Sequence, residues 1–258
     1  MAIQYQITII VFILGAAMGS FANVVICRLP RGESIIHPGS RCPSCGASIR
    51  WFDNIPILSY FVLRARCRSC GAPISFRYPL VEALTGSLFA AVLWRVGVGW
   101  HTVILALFCW ALVVVTFIDL DHRIIPDMIS LPGIVAGAAA SLLPGFPRPS
   151  DSLIGLAAGG GFLFLILFAY EKIMKDEGMG MGDVKLLAMI GAFLGWQALP
   201  VTILFASITG TMAGVAFALA KGEPVRKFPI PFGPFLALGA VVHLFFGMEL
   251  IQWYIGRL

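Results

Sequence analysis

Hydrophobic positions along the chain fall into long uninterrupted runs separated by short polar breaks. Eight runs approach the ~20 residues needed to cross a bilayer: 7–26, 80–100, 102–118, 128–143, 153–170, 184–199, 201–220 and 234–254. Only a tight break near His101 separates the second from the third, and one near Pro200 the sixth from the seventh. Both pairs are therefore expected to form helical hairpins. The first run has no basic residue before it and no small-residue cleavage site after it, so it reads as a retained helix, not a signal peptide. A long polar stretch, 28–79, lies between the first two runs.

Composition makes the same point in a different way. Of 258 residues, 59% are hydrophobic and 12% charged, with a mean hydropathy of +0.92. Soluble domains carry about 25% charged residues; half that fraction cannot furnish a polar surface for a fold of this size. The expected fold is an all-α polytopic membrane protein of about eight transmembrane helices, with a small insert between helices 1 and 2. The expected organisation is a first transmembrane helix (1–27), an insert (28–79) and a seven-helix bundle (80–258). A disordered chain, a secreted disulfide scaffold and a nucleic-acid partner are excluded, even with a net charge of +5. Most of the basic residues are topological signals. Fifteen of the eighteen lie in the insert and in the alternate loops on its side, leaving Arg95, Arg148 and Arg257 on the other face. The positive-inside rule then puts the insert in the cytosol and both termini outside. The halves share no motif of the inverted-repeat kind found in transporters.

The insert carries four of the six cysteines, as Cys42-Pro43-Ser44-Cys45 and Cys67-Arg68-Ser69-Cys70, each pair followed by Gly-Ala. Such knuckles let four thiolates converge on one Zn²⁺, and the glycines permit turns that point N–H groups at sulfur. The insert has few large aliphatic residues, so metal binding is expected to supply much of its folding energy, a structural role. Two disulfides are the competing reading, disfavoured in a reducing cytosol. His37 is a possible substitute ligand. Cys27 and Cys109 read as small buried hydrophobes.

Acids are few, thirteen in all, so their clustering is informative. One group, Asp119, Asp121 and Asp127, closes the third span; Asp183, preceded by Gly180 and Gly182, opens the sixth. The third helix descends to the cytoplasmic face and the sixth ascends from it, which places Asp119 and Asp183 at one depth. Carboxylates at the hydrocarbon edge are costly and mark functional sites. Two that converge share a proton, one activating water while the other protonates a substrate carbonyl or leaving group. Bare glycines beside Asp183 would let a peptide approach closely. Asp121, Asp127, Asp176 and Glu177 read as loop charges, caps or ion-pair partners, and Glu82 as a partner for Arg77.

Several motifs together resemble the bacterial type IV prepilin peptidases, GxGD-type aspartic proteases that are also N-methyltransferases. They are Gly19 to Pro30, the four cysteines, Asn54-Ile55-Pro56, Arg77 to Glu82, the Asp119 run, Gly180 to Asp183, and Ile230 to Phe235. The resemblance implies cleavage of a short basic leader after a glycine, at the cytoplasmic side of the inner membrane, from prepilins or pseudopilins of type IV pili and type II secretion. It also implies methylation of the new N-terminal residue, typically Phe, from S-adenosylmethionine. Carried over, the catalytic aspartates are Asp119 and Asp183. Asp121 is the rival for the first position, but a related pattern, Asp followed four residues later by Arg and seven later by Pro, matches Asp119, Arg123 and Pro126. No glycine-rich nucleotide loop follows a strand, so the methyl-donor site is expected around Asn23, Glu82 and the cysteine insert. Asp176, Glu177 and Asp121 could attract a basic leader. Two other classes remain: a carrier whose intramembrane acids relay protons or cations, and a non-catalytic secretion-system scaffold.

Overall fold

The computed structural model describes residues 2–174, 180–222 and 230–256. Helices dominate: α1 (Ala2–Arg28), the short α2 (Leu58–Val62), α3 (Arg77–Val96), α4 (Trp100–His122), α5 (Asp127–Ala140), α6 (Pro149–Met174), α7 (Met181–Leu194), α8 (Ala198–Lys221) and α9 (Gly233–Ile255). Among the described residues β pairing is limited to two isolated bridges, Arg41 with Ser48 and Arg66 with Pro73. The chain divides into two compact units, Met1–Val114 and Val115–Leu258, with the boundary inside α4.

In the first unit α1 and α3 pack along a glycine seam. A methyl at Gly19 would lie 2.6 Å from the Glu82 α-carbon, and one at Gly86 would lie 2.9 Å from the Phe12 carbonyl. The first half of α4 joins this unit through Trp110, whose indole N–H donates to the Met18 carbonyl (2.9 Å) and whose ring stacks on Phe21.

The second unit is built around α7, which packs on α5, α6, α8 and α9. Every residue from Leu186 to Phe193 is buried. A helix apolar all round is a core helix, and small residues let its neighbours approach: a methyl on Gly191 would collide with the Gly155 carbonyl of α6. The Ser152 hydroxyl donates to the Ala192 carbonyl at 2.7 Å, tying the same two helices together.

Six helices, α1, α3, α4, α6, α8 and α9, are long and apolar enough to cross a bilayer. Large side chains such as Ile9, Ile13, Phe164, Leu165 and Leu204 stand exposed along them, as lipid-facing positions do. The chain is a multi-pass membrane protein. The expected eight crossings are not all present at full length. α5 and α7 have 14 residues each, about 21 Å at 1.5 Å per residue, against a hydrocarbon core of ~30 Å. Their apolar runs continue beyond the helix ends, through Leu142 and Leu143 in one case and into Gly195 and Trp196 in the other. Hydropathy therefore overstated their span. The hairpin breaks also shift. Gly97 (φ +76°) ends α3 and Gly195 (φ +79°) ends α7, so His101 and Pro200 lie inside the first turns of α4 and α8, where proline is tolerated.

Candidate functional site

Asp119 sits within α4, one turn from its C-terminus, and is 5% exposed; Asp183 sits in the first turn of α7 and is 8% exposed. Both belong to the second unit, and the charge of Asp119 reaches Asp183. The chain turns sharply after α4: Arg123 adopts φ +55° and its N–H donates to the Asp119 carbonyl at 2.9 Å. This left-handed residue closes the helix and directs Ile125 and Pro126 toward α5. Asp119 Oδ2 accepts the Gly233 N–H at 3.0 Å. That amide is at the N-terminus of α9, where unpaired N–H groups and the helix dipole favour an anion. Asp183 accepts no such bond at its buried Oδ1, which has no hydrogen-bond partner among the described residues. An orphaned buried carboxylate oxygen is uncommon, and here it belongs to one member of a carboxylate pair.

The glycines of the Gly180 to Asp183 motif have different surroundings. A methyl at Gly182 would lie 2.8 Å from the Ile125 Cβ, so its bare α-carbon serves packing against the turn that follows Asp119. Around Gly180 there is room. Gly233 is the residue that the sequence reading did not single out: a Cβ there would stand 2.7 Å from Asp119 Oδ2 and 3.1 Å from the Ile125 side chain. Its signal was present in the Ile230 to Phe235 motif. Asp127 is an ion-pair partner on the surface, its two oxygens 2.7 and 2.8 Å from Lys185 Nζ. Asp176 and Glu177 lie outside the described residues.

In the first unit the sulfurs of Cys42, Cys45, Cys67 and Cys70 all lie within 4.8 Å of one another. Cys42 and Cys70 are 3.9 Å apart, close to the roughly 3.8 Å that a tetrahedron with ~2.3 Å Zn–S bonds requires. The cluster is compatible with zinc. His37 is not part of it. The two knuckles repeat one another. In each, the first cysteine N–H bonds the alanine after the glycine (Cys42 to Ala47, 2.9 Å; Cys67 to Ala72, 2.8 Å), and the glycine N–H bonds back to that cysteine (2.9 Å in both). Gly46 and Gly71 take φ of +70° and +72°. Backbone N–H groups of Cys45 and Ser44 draw the Cys42 thiol down to about 6, toward the thiolate that a metal needs. Cys109 is buried as expected, but Cys27 is exposed, on the lining of the cavity beside the knuckles.

The knuckles border a cavity of about 590 Å³ that Ser20, Asn23, Asp53, Tyr78 and Glu82 also line. The Asn23 amide donates to the Tyr78 carbonyl at 3.1 Å. Glu82, 8% exposed, accepts the Ile57 N–H at 2.7 Å together with a bond from Ser20, and is not held by Arg77. Ile57 is bent to φ +62° to make this bond. A β-branched residue there is strained by ~1–3 kcal/mol, which functional sites tolerate more often than other places. Asp53 is clamped by Arg68 of the second knuckle at 2.6 and 2.8 Å, and that guanidinium holds its carboxyl below the usual range.

Comparisons with known proteins agree with these two units. A family model described as the bacterial peptidase A24 N-terminal domain matches residues 13–96, and one described as the type IV leader peptidase family matches residues 106–215. Relatives named prepilin leader peptidase/N-methyltransferase include one from Aeromonas hydrophila, 41% identical over 95% of this chain and 93% of its own length. One from Pseudomonas aeruginosa is 36% identical over 94% and 91%, and one from Myxococcus xanthus is 47% identical over 83% and 64%. No solved structure matches. With this identity over nearly its whole length, the chain belongs to the prepilin leader peptidase/N-methyltransferase family.

Proposed function

We propose that the protein is a membrane-embedded aspartic endopeptidase that removes the short basic leader of prepilins or pseudopilins after a glycine, and that it methylates the new N-terminus. The observation that carries this reading is the pair Asp119 and Asp183: two carboxylates, each over nine-tenths buried, with the charge of Asp119 reaching Asp183. Like charges so placed hold one proton between them. The ionised member takes a proton from water as the oxygen attacks the scissile carbonyl; the protonated member donates to the carbonyl oxygen. Collapse of the tetrahedral intermediate sends a proton to the departing amine. The Gly233 amide holds Asp119 in place, and the unpaired Asp183 Oδ1 has its bonding capacity free for the reactants. With the basic residues on one side, the site faces the cytoplasm of a bacterial inner membrane, where a prepilin whose apolar helix is already in the bilayer presents its basic leader.

Cys42, Cys45, Cys67 and Cys70 hold a structural Zn²⁺ in this reading. The methyl donor is S-adenosylmethionine, and the site for it is the cavity lined by Asn23 and Glu82. Its ~590 Å³ suits a small-molecule site, and its lining offers an aromatic ring, amides and both signs of charge. The donor supplies an electrophilic methyl group there; the chain's residues bind and orient it.

Purified protein incubated with a prepilin should release the leader. Asp119→Asn and Asp183→Asn should each slow release by roughly three orders of magnitude or more. Full cleavage by either variant would remove that aspartate from the mechanism.

A further inference from the structure

Two acids line the cavity of the first unit, and they differ in what surrounds them. Asp53 is neutralised by a two-point contact with Arg68. Among the described residues Glu82 receives neutral donors, the Ile57 amide and the Ser20 side chain, in a position more than nine-tenths buried. Its place is enforced from both sides. Its α-carbon is pressed against Gly19 in the α1–α3 seam, and Ile57 takes a left-handed conformation with its N–H on the carboxylate. A buried carboxylate that faces a cavity and is hydrogen-bonded without being charge-balanced is suited to receive a cation or a proton from the cavity's occupant.

We propose that Glu82 binds the α-ammonium group of the newly exposed substrate N-terminus and takes its proton before methyl transfer. The proposal rests on the reading of this cavity as the methyl-transfer site and adds the acceptor's half of it. An α-amine titrates near 7.7–8.0, so roughly nine-tenths of it is protonated and non-nucleophilic at pH 7. One N–H proton passes to a Glu82 carboxylate oxygen and from there to water. The freed lone pair forms the N–C bond as the methyl carbon–sulfur bond breaks, and that bonding pair stays on sulfur. The products are a methylated ammonium and S-adenosylhomocysteine. Asn23, held to the Tyr78 carbonyl by its amide, lines the same cavity one turn along α1 from Ser20.

The test uses the full-length, zinc-replete protein in detergent. Wild-type protein saturated with S-adenosylhomocysteine is titrated with a short labelled peptide that begins with Phe, and with its des-amino analogue carrying 3-phenylpropionyl at the first position. The free amine should bind at least about tenfold tighter; equal binding would overturn the proposal without recourse to any variant. Glu82→Gln, titrated at S-adenosylhomocysteine concentrations that saturate it, should then lose the preference for the amine. Its methylation rate should fall at least tenfold at pH 7 and recover toward wild type between pH 8 and 9, where the amine deprotonates unaided. An unchanged methylation rate at saturating donor, or a deficit that persists at pH 9, would each count against it. Leader cleavage by the same preparation reports that the variant is folded; if it is not, the wild-type peptide comparison decides. A wild-type protein that neither cleaves nor methylates a prepilin would overturn the wider reading of function instead.

Discussion

At the scale of single residues, the candidate protease site depends on places where a side chain is missing. Gly233 lets the first amide of α9 reach Asp119 at 3.0 Å; alanine there would put a carbon 2.7 Å from the same carboxylate oxygen. Gly233→Ala should therefore displace the Asp119 carboxylate and lower kcat for leader release by at least tenfold, with little change in KM or in circular dichroism. A steady-state assay on a labelled prepilin peptide checks this, and wild-type turnover would refute the anchoring role. Asp119 and Asp183 were legible in the sequence because acids are scarce in it. Gly233 was legible only as part of the Ile230 to Phe235 motif, since a glycine carries no charge or period that would mark its own role. Gly182 was legible as special, but the expected reason, substrate approach, gives way to packing against Ile125.

At the scale of helices, burial separates α7 from the rest. Its apolar run was evident in the sequence, but its length was not, because hydropathy does not mark where a left-handed glycine ends a helix. Gly195 does so after 14 residues. Its position in the middle of the second unit depends on backbone contact with α6 at Gly191 and Gly155. Gly191→Val would force the two helices apart, costing about 1–3 kcal/mol and lowering Tm by several degrees. Since α7 carries Asp183, activity should fall along with stability; a thermal-shift assay in detergent and a cleavage assay check both. The knuckles illustrate the opposite case. Two cysteine pairs with matching glycines were enough to foresee a four-sulfur cluster, because spacing alone dictates how such turns close. The bond from Ile57 to Glu82 was hidden, as a backbone donor 25 positions away leaves no trace in composition.

For the molecule as a whole, the division at Val114 keeps the cysteine cluster and its cavity in one compact unit and the two aspartates in the other. Metal removal should therefore act unequally. Metal analysis is expected to find one zinc per chain. Stripping it with a strong chelator should abolish methylation and speed tryptic cutting at Arg50 and Arg64, while the far-ultraviolet helical signal is largely retained and leader release falls much less. Equal loss of both activities would contradict such a separation.

The short α5 has one more effect. Met128 and Val135 are 74% and 69% exposed on it, so lipid tails packed against it would meet a helix of about 21 Å against a hydrocarbon core of ~30 Å. Hydrophobic mismatch of this kind is relieved by thinning the surrounding leaflets. α5 begins just after the turn that holds Ile125 against Gly182, beside both carboxylates. Under the proposed function, a bilayer thinned on this flank would shorten the path by which water from the headgroup region reaches the two aspartates.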